Sequence, residues 1–284
     1  MVGRAKTGVG GGIIFWYAGD MKWPASLIFV RHGESAYNVL KKRRDEDVEH
    51  AAFRALFERD LAKAEDETWP SQELKDAARR IWFQARLSVS DYNTPLTDEG
   101  LKQAAITGRA LKSKISLPDA VYVSPYLRTR QTLEQLCAGW PELGGVKMVQ
   151  EERIREQEHG LSTVFNDWRV YYVFHPLQAL LYKLEGEYEY RFLNGENKAD
   201  VRDRVRSFLS TLIREHAEQN VLVVSHHLTL LSLRANLERW DRETFIKTDK
   251  EDKPLNCGVT TYEGRADEGK NGKLILKSYN EKLY

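Results

Sequence analysis

The chain has 284 residues, enough for one large α/β domain or about two smaller ones. Its 43 lysines and arginines balance 42 aspartates and glutamates, and this net charge of +1 argues against a protein that mainly coats nucleic acid or an anionic membrane. Two cysteines, Cys137 and Cys257, are too few for a disulfide scaffold. They predict free thiols in a reducing compartment, which favours the cytoplasm.

The first 20 residues are interpreted as an extension that precedes the fold. Their apolar run, residues 11–18, is shorter than the roughly 18 residues that a membrane-spanning helix needs. We therefore expect one domain over residues 21–284 and no membrane partner.

Short apolar runs that end at polar residues predict buried strands of a parallel sheet. The strongest are residues 27–30, 120–123 and 221–224, and weaker ones are residues 146–149, 259–262 and 274–277. Between these runs, apolar residues recur at helical spacing, which predicts helices over residues 97–112, 127–136 and 198–219. This alternation predicts an α/β fold with a mostly parallel central sheet flanked by helices.

Two stretches do not fit the alternation and are predicted to be helical insertions. Residues 39–90 are highly charged, and residues 161–194 are rich in aromatic side chains. We expect the two to pack together as a cap over one end of the sheet.

Reactive polar residues follow the three strongest strands. Arg31 and His32 follow the first, Ser124 leads to Arg128 after the second, and His226 follows the third. Since ligand sites of parallel sheets form beyond the carboxyl ends of the strands, these side chains are expected at one edge. Two guanidiniums and two imidazoles there suit an anion, and a phosphoryl group in particular.

The segments around these residues resemble motifs of the histidine phosphatase superfamily, in its phosphoglycerate mutase-like branch. The resemblance runs in family order through residues 27–230. The matching segments are residues 31–35 (R-H-G-E-S) with Asn38, residues 96–104 (L-T-D-E-G-L-K-Q-A), residues 124–132 (S-P-Y-L-R-T-R-Q-T), residues 154–160 (I-R-E-Q-E-H-G) and residues 225–226 (S-H). At the last motif, His227 stands where a glycine is common.

The resemblance implies a three-layer phosphoglycerate mutase-like fold and covalent catalysis on His32. A neutral imidazole nitrogen would attack phosphorus, while a backbone carbonyl fixes the proton on the other ring nitrogen. Arg31, Arg128 and His226 would hold the phosphoryl oxygens. Asn38 and Ser35 are expected to donate further hydrogen bonds to the substrate, and His227 a backbone N–H.

The resemblance places the general acid at Glu156, four residues before Gly160. An ordinary glutamic acid is mostly ionised at neutral pH, so this role requires a raised pKa, which the substrate dianion would supply. The neighbouring carboxylates are alternatives, namely Glu151, Glu152 and Glu158.

These inferences favour a metal-independent phosphatase without a cofactor that acts on a small phosphorylated substrate. A phosphoglycerate mutase-type transfer and a non-catalytic phospho-ligand binding protein are the alternatives. The long insertion after Asn38 differs from the short segment of cofactor-dependent mutases and favours hydrolysis. Neither nucleic acid nor a membrane is an expected partner, no metal site is expected, and the oligomeric state stays open.

Overall fold

The computed structural model describes residues 21–65, 68–84 and 87–284. The extension predicted for residues 1–20 lies outside the described residues. The strands are β1 (Ser26–Arg31), β2 (Ala120–Val123), β3 (Lys147–Gln150), β4 (Asn220–Ser225), β5 (Val259–Arg265) and β6 (Lys273–Glu281). The helices are α1 (Ala36–Glu46), α2 (Val48–Leu61), α3 (Gln72–Gln84), α4 (Asp98–Lys114), α5 (Leu127–Gly139), α6 (Trp168–Phe174), α7 (Pro176–Glu189), α8 (Lys198–Glu215), α9 (His227–Leu237) and α10 (Arg242–Glu251).

The strands form one sheet in the order β3-β2-β4-β1-β5-β6. The first four are parallel to one another, whereas β5 and β6 run antiparallel at one side of the sheet. The mixed α/β fold with a mostly parallel sheet is therefore confirmed. The apolar pattern of β5 and β6 did not indicate that these two strands run antiparallel.

Alternate residues of each strand pack into different cores, because successive side chains of a strand point to opposite faces. Leu27 and Phe29 of β1 join the core that contains α8 and α9. Ile28 and Val30 join the core that contains α4 and α5. The sheet is thus the middle of three layers, as the resemblance implied.

The two insertions share a core of their own. Phe57 of α2, Leu74 of α3 and Tyr171 of α6 belong to one buried cluster. A buried polar contact also joins the insertions, since Nε2 of His50 lies 2.8 Å from Oδ2 of Asp167. These contacts are what the cap interpretation requires, while the domain boundaries stay predictions.

The start of α4 touches the turn that follows β1. Thr97 caps α4 and also donates its hydroxyl to the carboxylate of Glu34, at 2.8 Å. A Cβ atom on Gly100 would lie 2.1 Å from the carbonyl oxygen of Glu34. Only a glycine allows this close approach, which holds the turn carrying His32 against α4.

Among the residues that the structure describes, no helix is both long and apolar enough to cross a membrane.

We predict that Gly100→Ala lowers the free energy of unfolding by about 2–3 kcal/mol, because the added methyl group forces backbone atoms apart. Urea unfolding measures the change. Gly144→Ala is the control, since a Cβ atom there meets nothing within 4 Å. Equal stability of the two variants would contradict the close-approach argument.

Candidate active site

The site lies at the carboxyl ends of β1, β2 and β4. Arg31 pairs with Ser225 in the register of β1 and β4, and Val123 pairs with Val224 in that of β2 and β4. The backbone N–H of His32 donates to the carbonyl of Ser225 at 2.9 Å. The sheet thereby brings together the residues that follow all three strands.

His32 is buried and held in one tautomer. Its Nδ1 lies 2.8 Å from the carbonyl oxygen of Gly33. Because a carbonyl only accepts hydrogen bonds, Nδ1 carries the proton and Nε2 keeps a lone pair. Burial, together with the charges of Arg128 and Arg31, lowers the pKa of His32 well below its ordinary value. The imidazole is therefore neutral and nucleophilic at neutral pH, and Gly33 supplies the expected backbone carbonyl.

His226 stands beside His32, with 5.3 Å between the ring centroids. Its side chain is fully buried, and its Nε2 lies 2.7 Å from the hydroxyl oxygen of Ser124. Its Nδ1 is buried without a hydrogen-bond partner among the described residues. Burial and the charge of Arg128 lower the pKa of His226 well below its ordinary value.

Arg31 is anchored through one guanidinium nitrogen, Nη1, which donates to the carbonyl of Pro254. Its Nε is buried and has no partner within the described part of the chain. Burial lowers the pKa of Arg31 to about 10, so the group stays charged at neutral pH. A buried cation with an unused donor suits an anionic ligand.

Arg128 is buried, and a residue that the sequence analysis missed holds it. Its Nη1 donates to the carbonyl oxygen of Asp91 at 2.7 Å and to the carboxylate of Asp91 at 2.9 Å. The guanidinium also lies 4.8 Å from the ring centre of Tyr126. Asp91 follows the first insertion and is 37 residues away in sequence, so no motif spacing pointed to this pair.

Glu156 lies at the first turn of α9. Its Oε1 accepts from the backbone N–H of Leu228 at 3.2 Å. Arg204 of α8 donates to the backbone carbonyls of residues 153, 155 and 156, which fixes the loop. These contacts place the Glu156 carboxylate against the N-terminus of α9.

Two of the alternative carboxylates pair with arginines outside this contact. Glu151 lies 2.7 Å from Arg153, and Glu158 lies 2.9 Å from Arg155. Glu152 is exposed. Glu156 is thus the carboxylate of this segment that contacts the helix following His226.

Ser35 and Asn38 have a local structural task that the sequence analysis underrated. Together they form the capping box at the start of α1. The side-chain oxygen of Asn38 also accepts from Asn256 at 3.1 Å, and Asn256 donates in addition to the carbonyls of His32 and Gly33. Their contacts with substrate stay predictions.

His227 extends from the first position of α9, and its Nε2 lies 2.8 Å from a carboxylate oxygen of Asp249. The motif assigned no role to this side chain and did not point to Asp249, one of several acids on α10. Over the described ranges, no group of three or more His, Cys, Asp or Glu side chains is arranged to hold a metal ion.

The architecture and the site, with a histidine at its centre, are those expected of an α/β protein that binds a phosphoryl group. The model of the histidine phosphatase superfamily (branch 1) matches residues 78–274. The chain belongs to this superfamily. The segment with Arg31 and His32 precedes the matched range, but β1 lies between two strands of that range in the sheet, β4 and β5.

The chain is similar to proteins with phosphatase and mutase-like names. A phosphoglycerate mutase-like protein of Arabidopsis thaliana is 32% identical over 208 residues, which cover 66% of this chain and 70% of the relative. Phosphoserine phosphatase 1 of Hydrogenobacter thermophilus is 29% identical over 151 residues, which cover 53% of this chain and 67% of the relative. The structure of a mycobacterial glucosyl-3-phosphoglycerate phosphatase shares the fold, with a TM-score of 0.58 and 17% identity over 90% of this chain and 99% of that one.

We predict that acid destabilises the protein through its buried neutral histidines. Because folding lowers the pKa of His226, the unfolded state binds more protons once the pH falls below about 6.5, the ordinary histidine value. The free energy of unfolding should decrease between about pH 7.5 and pH 5.5, by up to about 1.4 kcal/mol per pH unit for each such histidine. Urea unfolding across this range should show a shallower dependence for His226→Gln. Identical slopes in variant and wild type would contradict the assignment.

We predict that Asp91→Asn strengthens the binding of inorganic phosphate by about two- to fivefold, because it removes a negative charge from beside Arg128 while keeping a side-chain acceptor. Isothermal titration calorimetry with phosphate measures this affinity. Glu142→Gln is the matched control, since it removes a carboxylate charge from a surface pair with Lys112. Weaker phosphate binding by Asp91→Asn would show that Asp91 contributes mainly by orienting the guanidinium.

Proposed function

We propose that this protein is a metal-independent phosphatase that hydrolyses a small phosphomonoester through a phosphohistidine intermediate on His32. The observation that carries the proposal is the contact between Nδ1 of His32 and the carbonyl of Gly33. It leaves an unprotonated Nε2 in a cluster with Arg31, Arg128 and His226. A neutral nucleophile beside fixed cations is what attack on a phosphate dianion requires.

In the first step, Nε2 of His32 attacks phosphorus and the bond to the leaving oxygen breaks. The guanidinium groups of Arg31 and Arg128 stabilise the negative charge on the phosphoryl oxygens during this transfer. When the Ser124 hydroxyl donates a hydrogen bond to Nε2 of His226, the ring proton of His226 lies on Nδ1. This N–H can then donate a hydrogen bond to a phosphoryl oxygen. Asn38, Ser35 and the backbone N–H of His227 are assigned supporting hydrogen bonds.

Glu156 completes both steps as the acid and then the base. It protonates the leaving oxygen when the phosphohistidine forms. In the second step it accepts a proton from the water that attacks phosphorus, and the bond to His32 breaks. Its contact with the backbone N–H of Leu228 holds this carboxyl group in place for both transfers.

The insertions favour hydrolysis over transfer to a second hydroxyl. Residues 39–90 and 161–194 form a shared aromatic cluster. Cofactor-dependent mutases have only a short segment in place of residues 39–90, so they lack this cluster. The relatives named for phosphoserine and for glucosyl-3-phosphoglycerate support a small phosphomonoester as the substrate class. The mutase-like name of another relative keeps the transfer reaction as the alternative.

We further propose a cytoplasmic location. The thiols of Cys137 and Cys257 are free, as is usual in a reducing compartment.

We predict that the wild-type protein releases phosphate from para-nitrophenyl phosphate in the presence of a chelator. His32→Ala should reduce turnover to background while retaining the wild-type unfolding transition, because it removes only the nucleophile. Quenching of the wild type in alkaline denaturant with labelled substrate should trap a phosphoenzyme that is stable in alkali and loses its label in acid. His175→Ala, a substitution in the cap, is the matched control and should remain active.

Four outcomes would contradict parts of this proposal. Turnover that persists in His32→Ala would exclude the phosphohistidine, and turnover lost with chelator would exclude metal independence. Transfer of the label to a second hydroxyl of a phosphoglycerate, without phosphate release, would establish the mutase alternative. Phosphate binding without turnover by folded wild type would establish a binding protein.

A further inference from the structure

Glu196 lies between two arginines, beside the loop that carries Glu156. Its Oε1 accepts from Arg155 at 2.8 Å and from Nε of Arg204 at 2.9 Å. Its Oε2 accepts from Arg204 at 3.0 Å and from the backbone N–H of Glu158 at 3.1 Å. The side chains of Glu196 and Arg204 are only 11% and 10% exposed. Four hydrogen bonds thus tie this largely buried carboxylate to the loop and to α8.

The backbone of Glu196 is joined to the same loop. Its N–H donates to the carbonyl of Glu158 at 2.8 Å. Its carbonyl accepts from the side chain of Gln157, also at 2.8 Å. The chain that leaves the second insertion therefore lies against the two residues that follow Glu156.

Arg204 connects Glu196 to the residues on the other side of Glu156. Its guanidinium donates to the carbonyls of residues 153, 155 and 156, at 2.9, 2.8 and 3.0 Å. Glu196 holds this guanidinium through two of its nitrogens, and such a paired contact fixes the plane of the group. The direction in which Arg204 donates to the loop therefore depends on the carboxylate of Glu196.

We propose that Glu196 is a positioning residue, which together with Arg204 holds the loop so that the carboxyl group of Glu156 reaches the leaving oxygen. This inference rests on the proposed phosphatase function. A general acid must lie within hydrogen-bond reach of the oxygen that it protonates, about 2.6–3.2 Å. A displacement of about 1 Å at a catalytic group can lower a rate by about 100-fold.

The contacts of Glu196 restrict this role to the acid. Its hydrogen bonds in the described part of the chain go to the loop of Glu156 and to Arg204. They reach none of the side chains that are proposed to hold the phosphoryl group. Loss of the Glu196 carboxylate should therefore impair proton donation more than attack on phosphorus.

Leaving-group dependence tests this role in Glu196→Gln. Phenyl phosphate needs proton donation because phenolate is a strong base, whereas para-nitrophenolate leaves without it. The ratio kcat/KM reports the first phosphoryl transfer, in which Glu156 acts as the acid. We expect kcat/KM to fall about tenfold for phenyl phosphate and less than about twofold for para-nitrophenyl phosphate.

A double variant tests whether Glu196 acts through Glu156. Because Glu156→Gln already removes the acid, adding Glu196→Gln should change kcat/KM for phenyl phosphate by less than about twofold. Urea unfolding establishes that each variant is folded. Glu196→Asp keeps the charge on a shorter side chain and should give the same pattern with a smaller fall. It takes the place of Glu196→Gln if that variant does not fold.

Glu187→Gln is the matched control, since Glu187 also lies between two cations, 2.6 Å from Lys198 and 2.9 Å from Lys250. It should keep the wild-type ratio of the two kcat/KM values. The same pattern in this control as in Glu196→Gln would assign the effect to loss of charge and would overturn the positioning role.

Three further outcomes would overturn the positioning role while the phosphatase function stands. They are an equal fall for both substrates, no fall for either, and a fall in the double variant that is the product of the two single falls. A wild type that hydrolyses neither substrate would instead overturn the phosphatase function, and this inference with it.

Discussion

The parallel pairing of β1 with β4 is the constraint on which the site depends. It sets Arg31 opposite Ser225, so that His32 and His226, nearly 200 residues apart in sequence, stand with ring centroids 5.3 Å apart. Both rings then lie at the end of a sheet that is covered on its two faces, and burial keeps them neutral. The same burial would make any cation there costly without an anion, which is why the site suits a phosphoryl group.

Charge compensation around the site comes from residues outside the catalytic motifs. Asp91 engages Arg128, and Asp249 engages His227. Both carboxylates approach from segments beyond the edge of the sheet, one after the first insertion and one on α10. They leave Nε of Arg31 and Nδ1 of His226 unpaired within the described residues, so that the arrangement neutralises part of the positive charge without filling the anion site.

The two insertions form one packed unit. Its aromatic cluster joins α2, α3 and α6, and the contact of His50 with Asp167 ties the two insertions together. Because α1 begins immediately after the turn that carries His32, the first insertion starts next to this turn in the chain. These insertions are therefore where we expect the side chains that select the substrate of the proposed phosphatase.

The sequence by itself determined the strands, the chain order of the motifs and the chemistry at the strand ends. Apolar runs and motif spacing are local signals, and residues such as His32 and Arg128 stand beside them. Only the tertiary structure decided the antiparallel pairing of β5 with β1 and the partners Asp91 and Asp249. These depend on contacts between segments far apart in the chain, where a single carboxylate among many on the surface has no pattern that distinguishes it. The proposed acid, Glu156, lies between the two cases: the motif indicated the segment, and the contact with the first turn of α9 distinguished this carboxylate from its neighbours.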